Sequence, residues 1–216
     1  MLAAMPAQRV VVLLEGQSDV AAVRALLPVR LREAVELVDM GGVTNIRRHL
    51  ADLVGAPPTA AEQDGTSAPP RRILGLCDAG EASFFARALE SVGHPVGGAA
   101  EMAELGFHVC DEDLEDELIR ALGAKRVLEV LAELGLLDRF ATFRRQPTWT
   151  GRPVTDQLRR FAGTTSGRKE LVAEALAAAM GSGEVPPPLA RLVTHIEAAL
   201  VDHEPGHPVR PFPDRL

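Results

Sequence analysis

A chain of 216 residues, 46% hydrophobic and 25% charged, has the makeup of a globular protein of one domain, or one domain with a small appendage, and excludes a disordered or fibrous one. Two cysteines exclude a disulfide framework or an all-cysteine zinc site and point to a reducing, cytoplasmic setting. The net charge of −7 conceals six acids in the seven positions 111–117 and eight bases against three acids over 138–170, so net acidity does not exclude a basic patch for a polyanion.

The run RVVVLL at 9–14 predicts a strand buried on both faces. It ends in Glu15-Gly16-Gln17-Ser18-Asp19, after which the apolar spacing over 20–27 predicts a helix with Ser18 as N-cap and Pro28 as its stop. A second strand is expected at 35–38, then Gly41-Gly42 and a helix over about 44–54. Residues 55–70, full of Pro, Gly and small polar side chains, predict a mobile loop. RILGLC at 72–77 is a third strand, running into Asp78-Ala79-Gly80-Glu81 and a helix over 82–92. GFHVC at 106–110 is a fourth, followed by the acidic run and a helix reaching 122. Beyond 124 the periodicity is helical only, over about 125–134, 153–161, 168–180 and 188–202, and the proline-rich tail 205–216 reads as extended.

Strands alternating with helices predict an α/β fold: a mostly parallel sheet of about four strands flanked by helices over 1–123, with a helical extension over 124–204. The apolar runs fall short of the roughly 18 residues that span a bilayer. The first ten residues lack the pattern of a signal peptide. No membrane association is expected.

Three predicted strands end in carboxylates: Glu15 with Asp19, Asp78 with Glu81, and Asp111 with Asp113 and Glu115. The carboxyl ends of parallel strands share one edge, where ligands bind, so these acids are expected to converge. Two bare carboxylates about 4 Å apart repel by roughly 4 kcal/mol at an effective dielectric near 20. A cluster of them is tolerated where some are protonated or a cation sits among them, and oxygen-only ligands select Mg²⁺, Mn²⁺ or Ca²⁺ over zinc. Each acid also has a plain reading. Glu15 fits a surface residue at a strand end, Asp19 and Asp78 fit helix N-termini, and most of 111–117 fits a solvated first turn. Between Asp111 and Asp113 the sequence does not choose. Cys77 and Cys110 read as small buried hydrophobes, and His108 as packed in its strand.

These residues resemble a family. Glu15-Gly16-Gln17-Ser18-Asp19 after a hydrophobic strand is similar to the EGxSD opening of the Toprim domain in OLD (overcoming lysogenisation defect) nucleases. Asp78 after ILGLC resembles the first Asp of the Toprim DxD motif, and Leu114-Glu115-Asp116-Glu117-Leu118 the LExxL element that follows. The match covers about 8–123, and weakly 165–180. It implies a Toprim-like, Rossmann-like sheet and phosphodiester hydrolysis with Mg²⁺ or Mn²⁺, one ion or two. On this resemblance Glu15, Asp19, Asp78, Glu81, Asp113 and Glu115 are the metal-ligand candidates, with Glu15 also a general acid or base. Lys169, in Ser-Gly-Arg-Lys-Glu, is the candidate for neutralising transition-state charge; its plain reading is a solvated residue at a helix start.

Two departures stand out. The second Asp of DxD is replaced by Gly80, with Glu81 one step further on. No GxxxxGK[ST] occurs, so the sequence reads as a Toprim protein without the ATPase of OLD proteins. An ATPase on another chain and a homodimer are the protein partners this leaves open.

The basic stretch carries four of the eight aromatic residues, and Arg144, Arg145, Trp149, Arg152, Arg159, Arg160 and Arg168 are the expected nucleic-acid contacts. Phe140, Phe143 and Phe161 read more simply as helical core. The leading expectation is a metal-dependent nuclease acting on DNA, with RNA the alternative polymer. The competing readings are a non-catalytic nucleic-acid or partner-binding protein with a degraded site, and a phosphohydrolase or phosphotransferase on small esters.

Overall fold

The computed structural model describes residues 10–55, 71–164 and 166–201; most of the expected loop at 55–70 and all of the tail 205–216 lie outside them. In chain order the elements are β1 (Val10–Leu14), α1 (Gln17–Leu26), β2 (Val35–Asp39), α2 (Ile46–Gly55), β3 (Arg72–Cys77), α3 (Ala82–Ser91), α4 (Ala99–Glu104) and β4 (Phe107–Val109). They continue as α5 (Leu114–Glu133), α6 (Leu137–Phe143), α7 (Val154–Ala162), α8 (Ser166–Ala178) and α9 (Pro187–Val201). The four strands form one parallel sheet in the order β2-β1-β3-β4.

β1 and β3 are interior strands, and β1 is buried along its whole length, which is why it reads as an unbroken apolar run. Successive side chains still alternate between faces. Val10, Val12, Leu14, Leu74 and Leu76 face one core, and Val11, Leu13, Ile73 and Cys77 the other. The second core is closed by Ile46 and Leu50 of α2, Phe85 and Leu89 of α3, and Met102 of α4. The first holds Val20 and Val23 of α1 and continues without a break through Leu118, Phe140, Phe161, Leu176 and Ile196. The C-terminal helices therefore complete the layer begun by α1.

Three local expectations are revised. α1 starts at Gln17 behind the N-cap Gly16, so Ser18 lies inside the first turn, where Asp19 Oδ2 accepts the Gly16 N–H at 3.1 Å. The helices expected on either side of residue 123 are one element broken at Gly123, whose φ of 73° lies in the left-handed region open to glycine. α4 and α6 lie outside the expected helices; at six and seven residues they are too short to show a helical period.

Gly75 is where the sheet packs most tightly. A β-carbon there would lie 2.6 Å from Cδ1 of Phe107 and 3.0 Å from Phe85, whose rings meet edge to face. We expect Gly75→Ala to lower the unfolding free energy by about 1–3 kcal/mol, the usual range for an overpacked core. Urea denaturation would show this as a lower midpoint at unchanged slope.

Candidate metal centre

β1 and β3 are adjacent and parallel, so the chain leaves the sheet side by side at Glu15 and Asp78. A single 3₁₀ turn, Ala79–Glu81, then coils back, closed by the Glu81 N–H donating to the Asp78 carbonyl at 3.0 Å. This turn brings Glu81 to the same spot. One carboxylate oxygen from each of Glu15, Asp78 and Glu81 lies within 4.8 Å of the others. Gly80 is exposed on the outside of the turn.

The electrostatics are those of crowded acids. Burial, a hydrogen bond with the Glu15 carboxyl and the charges of Glu15, Asp78 and Asp19 push Glu81 up to about 8. Burial, reinforced by Asp19, Asp113 and Glu15, pushes Asp78 up to about 7. Asp78 Oδ1 also accepts the Leu114 N–H at 3.2 Å, tying the β3 end to the start of α5. Glu81 Oε2 is buried without a hydrogen-bond partner. All the donors here are carboxylate oxygens and one buried oxygen lacks a partner, so the three residues fit a hard divalent cation.

Beside them lies a second acidic pair with its own counter-charge. Asp19 and Glu115 are both buried, and Lys169 on the first turn of α8 reaches to 3.5 Å from Glu115 Oε1. Burial raises Glu115 to about 7 against the pull of Lys169, and raises Asp19 for the same reason. Burial alone would lower Lys169, yet Glu115, Asp19 and Asp78 raise it, so it stays charged. A residue from the helical extension thus sits at the edge formed by the strand ends.

Asp111 and Asp113 have other partners. Asp113 is the N-cap of α5, accepting the Asp116 N–H at 2.8 Å. Its other oxygen takes Arg159 Nε at 2.9 Å and Nη2 at 2.6 Å. Asp111 is exposed and paired with Arg120 at 2.9 Å. Glu117, not singled out from the sequence, is buried where it accepts the Asp111 N–H and the Arg120 guanidinium, each at 2.8 Å.

The expected nucleic-acid residues divide in two. Arg159 is engaged by Asp113 and Glu112, holding α7 to the start of α5. Arg144, Arg145, Arg152 and Arg160 are exposed. Trp149 is half-buried, stacked on Phe143 with ring centroids 5.3 Å apart, and Arg152 lies 5.2 Å from its ring. Gln157, outside the residues expected from the sequence, is buried and donates to the carbonyls of Trp149 at 2.8 Å and Arg152 at 3.1 Å. Its only signal was a polar side chain beside Leu158 on an apolar helix face.

No protein-family model matches the chain, and no curated protein matches it. Solved structures do. The C-terminal region of the Xanthomonas campestris pv. campestris OLD protein superposes with a TM-score of 0.60 at 20% identity, covering 92% of this chain and 100% of that one. The C-terminal region of the Burkholderia pseudomallei OLD protein superposes with a TM-score of 0.53 at 19% identity, covering 89% of this chain and 98% of that one. The parallel α/β sheet and the helices behind it are thus shared across nearly the whole chain. The protein has the fold of the C-terminal region of OLD proteins.

Proposed function

We propose that the chain is a divalent-metal-dependent nuclease that hydrolyses phosphodiester bonds of DNA. The observation that carries this reading is the convergence of Glu15, Asp78 and Glu81 within 4.8 Å at one strand edge, with Lys169 held beside them by Glu115. Glu15, Asp78 and Glu81 would hold Mg²⁺ or Mn²⁺; Asp19 and Glu115 would complete the site around Lys169. The bound cation supplies Lewis acidity at a phosphoryl oxygen and a water more readily deprotonated. Lys169 places a fixed positive charge where negative charge grows on the phosphate oxygens during attack. Glu15, at the end of β1, is alternatively the general acid or base. The exposed Arg144, Arg145, Arg152 and Arg160 supply charge for the polymer backbone. Gly80 in place of an acid motivates the reading of a degraded binding protein, and the inward-turned Glu81 weighs against it.

The test is calorimetric titration of Mg²⁺ and Mn²⁺ into wild type and Asp78→Ala, with plasmid and single-strand cleavage on the same samples. Wild type should bind metal and cut only with it. Asp78→Ala should bind it at least about tenfold more weakly, and cut at least about 100-fold more slowly. A wild type that binds no metal up to millimolar levels and never cuts, or a variant that cuts at the wild-type rate, would refute the proposal.

A further inference from the structure

An open cavity of about 560 Å³ lies between α6, α7 and the start of α8, lined by Asp138, Arg139, Thr142, Phe143, Gln146, Phe161, Thr164 and Arg168. Its volume falls in the range of about 300–1,000 Å³ typical of small-molecule sites. Arg168 carries its guanidinium 4.2 Å over the Phe161 ring and donates from Nη1 to the Phe161 carbonyl at 3.0 Å, so it is fixed as part of the wall. Phe143 is half-buried and forms the aromatic side, backed by Trp149. Arg139 is exposed at the rim. The hydroxyls of Thr142 and Thr164 donate to the carbonyls of Asp138 and Arg160, leaving oxygen lone pairs to accept. Two cations, one acid, two aromatic rings and three neutral polar groups make a lining complementary to a nucleotide: an anion joined to a flat ring with N–H edges.

Two consecutive residues of α8 link the cavity to the carboxylates. Arg168 and Lys169 are consecutive on α8, where successive side chains point about 100° apart. Lys169 reaches Glu115 at the carboxylates, while Arg168 turns to Phe161 and the cavity. We propose that the cavity takes one nucleotide of a single-stranded segment next to the bond that is cut, its base against Phe143 and the Arg168 guanidinium and its phosphate on Arg139. This rests on the nuclease reading for what happens at the carboxylates. A single strand is required because a duplex keeps its base faces stacked away from such a wall.

The test is fluorescence anisotropy of a 5′-fluorescein oligothymidylate with the full chain in EDTA, over a series of salt concentrations. Arg139→Ala should weaken binding about tenfold and reduce the slope of log affinity against log salt by about one. Thr142→Trp fills the cavity without changing charge; it should weaken binding about tenfold with the slope kept, the scale of one lost base contact. Circular dichroism confirms that both variants are folded. A folded Thr142→Trp that binds as wild type does, or a wild type that does not bind, overturns the proposal. So does a duplex of equal length bound as tightly and weakened as much by Thr142→Trp. Binding that both variants weaken, beside a wild type that never cuts in Mn²⁺, would remove the nuclease reading and support the cavity as a nucleic-acid site.

Discussion

Glu81→Ala is expected to slow metal-dependent cleavage on the order of 100-fold or more, the scale on which losing a ligand or its orientation acts at a metal site. Glu81 is the residue on which the integrity of the centre turns, because position 80, where the resembled motif has its second acid, is Gly. The 3₁₀ turn brings Glu81 within reach of Glu15 and Asp78, and leaves its Oε2 buried and unpartnered. Above about pH 8, where Glu81 is ionised, removing this carboxyl also removes a source of repulsion, so there the metal-free variant should melt higher than wild type while cutting less, the usual trade between a strained site and stability. A β-carbon at Gly80 would meet nothing within 4 Å. Gly80→Asp in the Glu81→Ala background is therefore tolerated sterically and should restore part of the cleavage. Cleavage and melting curves on the three proteins check all of this. Wild-type cutting by Glu81→Ala would remove Glu81 from the centre.

The second large effect is a reversal of stability with pH and metal. Asp78 and Glu115 are raised to about 7 and Glu81 to about 8, from ordinary values of 3.8 and 4.5. Between those ordinary values and about 7–8 the folded protein keeps protons that the unfolded chain has released, so stability falls as pH rises through that window. His108 acts in the opposite sense. Burial, with His195 and Arg191 nearby, pushes it down to about 4 from an ordinary 6.5, so below about 6.5 the unfolded chain takes up a proton that the folded one refuses. Burial lowers His195 as well, and its Nδ1 lies 3.1 Å from His108 Nε2. In EDTA the melting temperature should therefore fall as pH rises from about 5, the histidines offsetting only part of the loss below about pH 6.5, and decline further from pH 6.5 to pH 8. One proton over one pH unit is worth about 1.4 kcal/mol. Discounted for the solvent the cluster meets, the loss should be about 1–2 kcal/mol, or roughly 2–8 °C for a chain of this size. Mg²⁺ or Mn²⁺ should raise the melting temperature more at pH 8 than at pH 6, because at the higher pH the cation has fewer protons to displace. Scanning calorimetry at both pH values, with and without metal, decides this. An equal rise at both would mean that these carboxylates do not hold the ion.

Much of the centre was legible in one dimension because parallel strands impose a simple rule. Each strand that reads as an apolar run must end at the same edge, so the first acid after it is placed without knowledge of the packing. Glu15 and Asp78 followed from that rule. The choice between Asp111 and Asp113 did not, because it depends on where the chain turns into α5 and which arginine waits there. Asp113 caps the helix and meets Arg159, and Asp111 is left outside with Arg120. The start of α1 is set by packing too: Gly16, two residues before Ser18, is the N-cap, and the buried Asp19 Oδ2 accepts its N–H.

From the sequence alone came the strand positions, the parallel α/β class, the convergence of acids and the concentration of bases and aromatics behind them. All of these rest on local periodicity or on the direction in which strands run. Only the tertiary structure decided which way Glu81 turns, that Lys169 crosses from the helical extension to Glu115, and that Arg159 is spent on Asp113 while Arg168 lines a cavity. Those outcomes depend on contacts between residues far apart in the chain, such as Glu15 with Glu81 and Glu115 with Lys169. Burial and charge balance among elements that meet only in the folded chain select them, and no local pattern encodes that meeting.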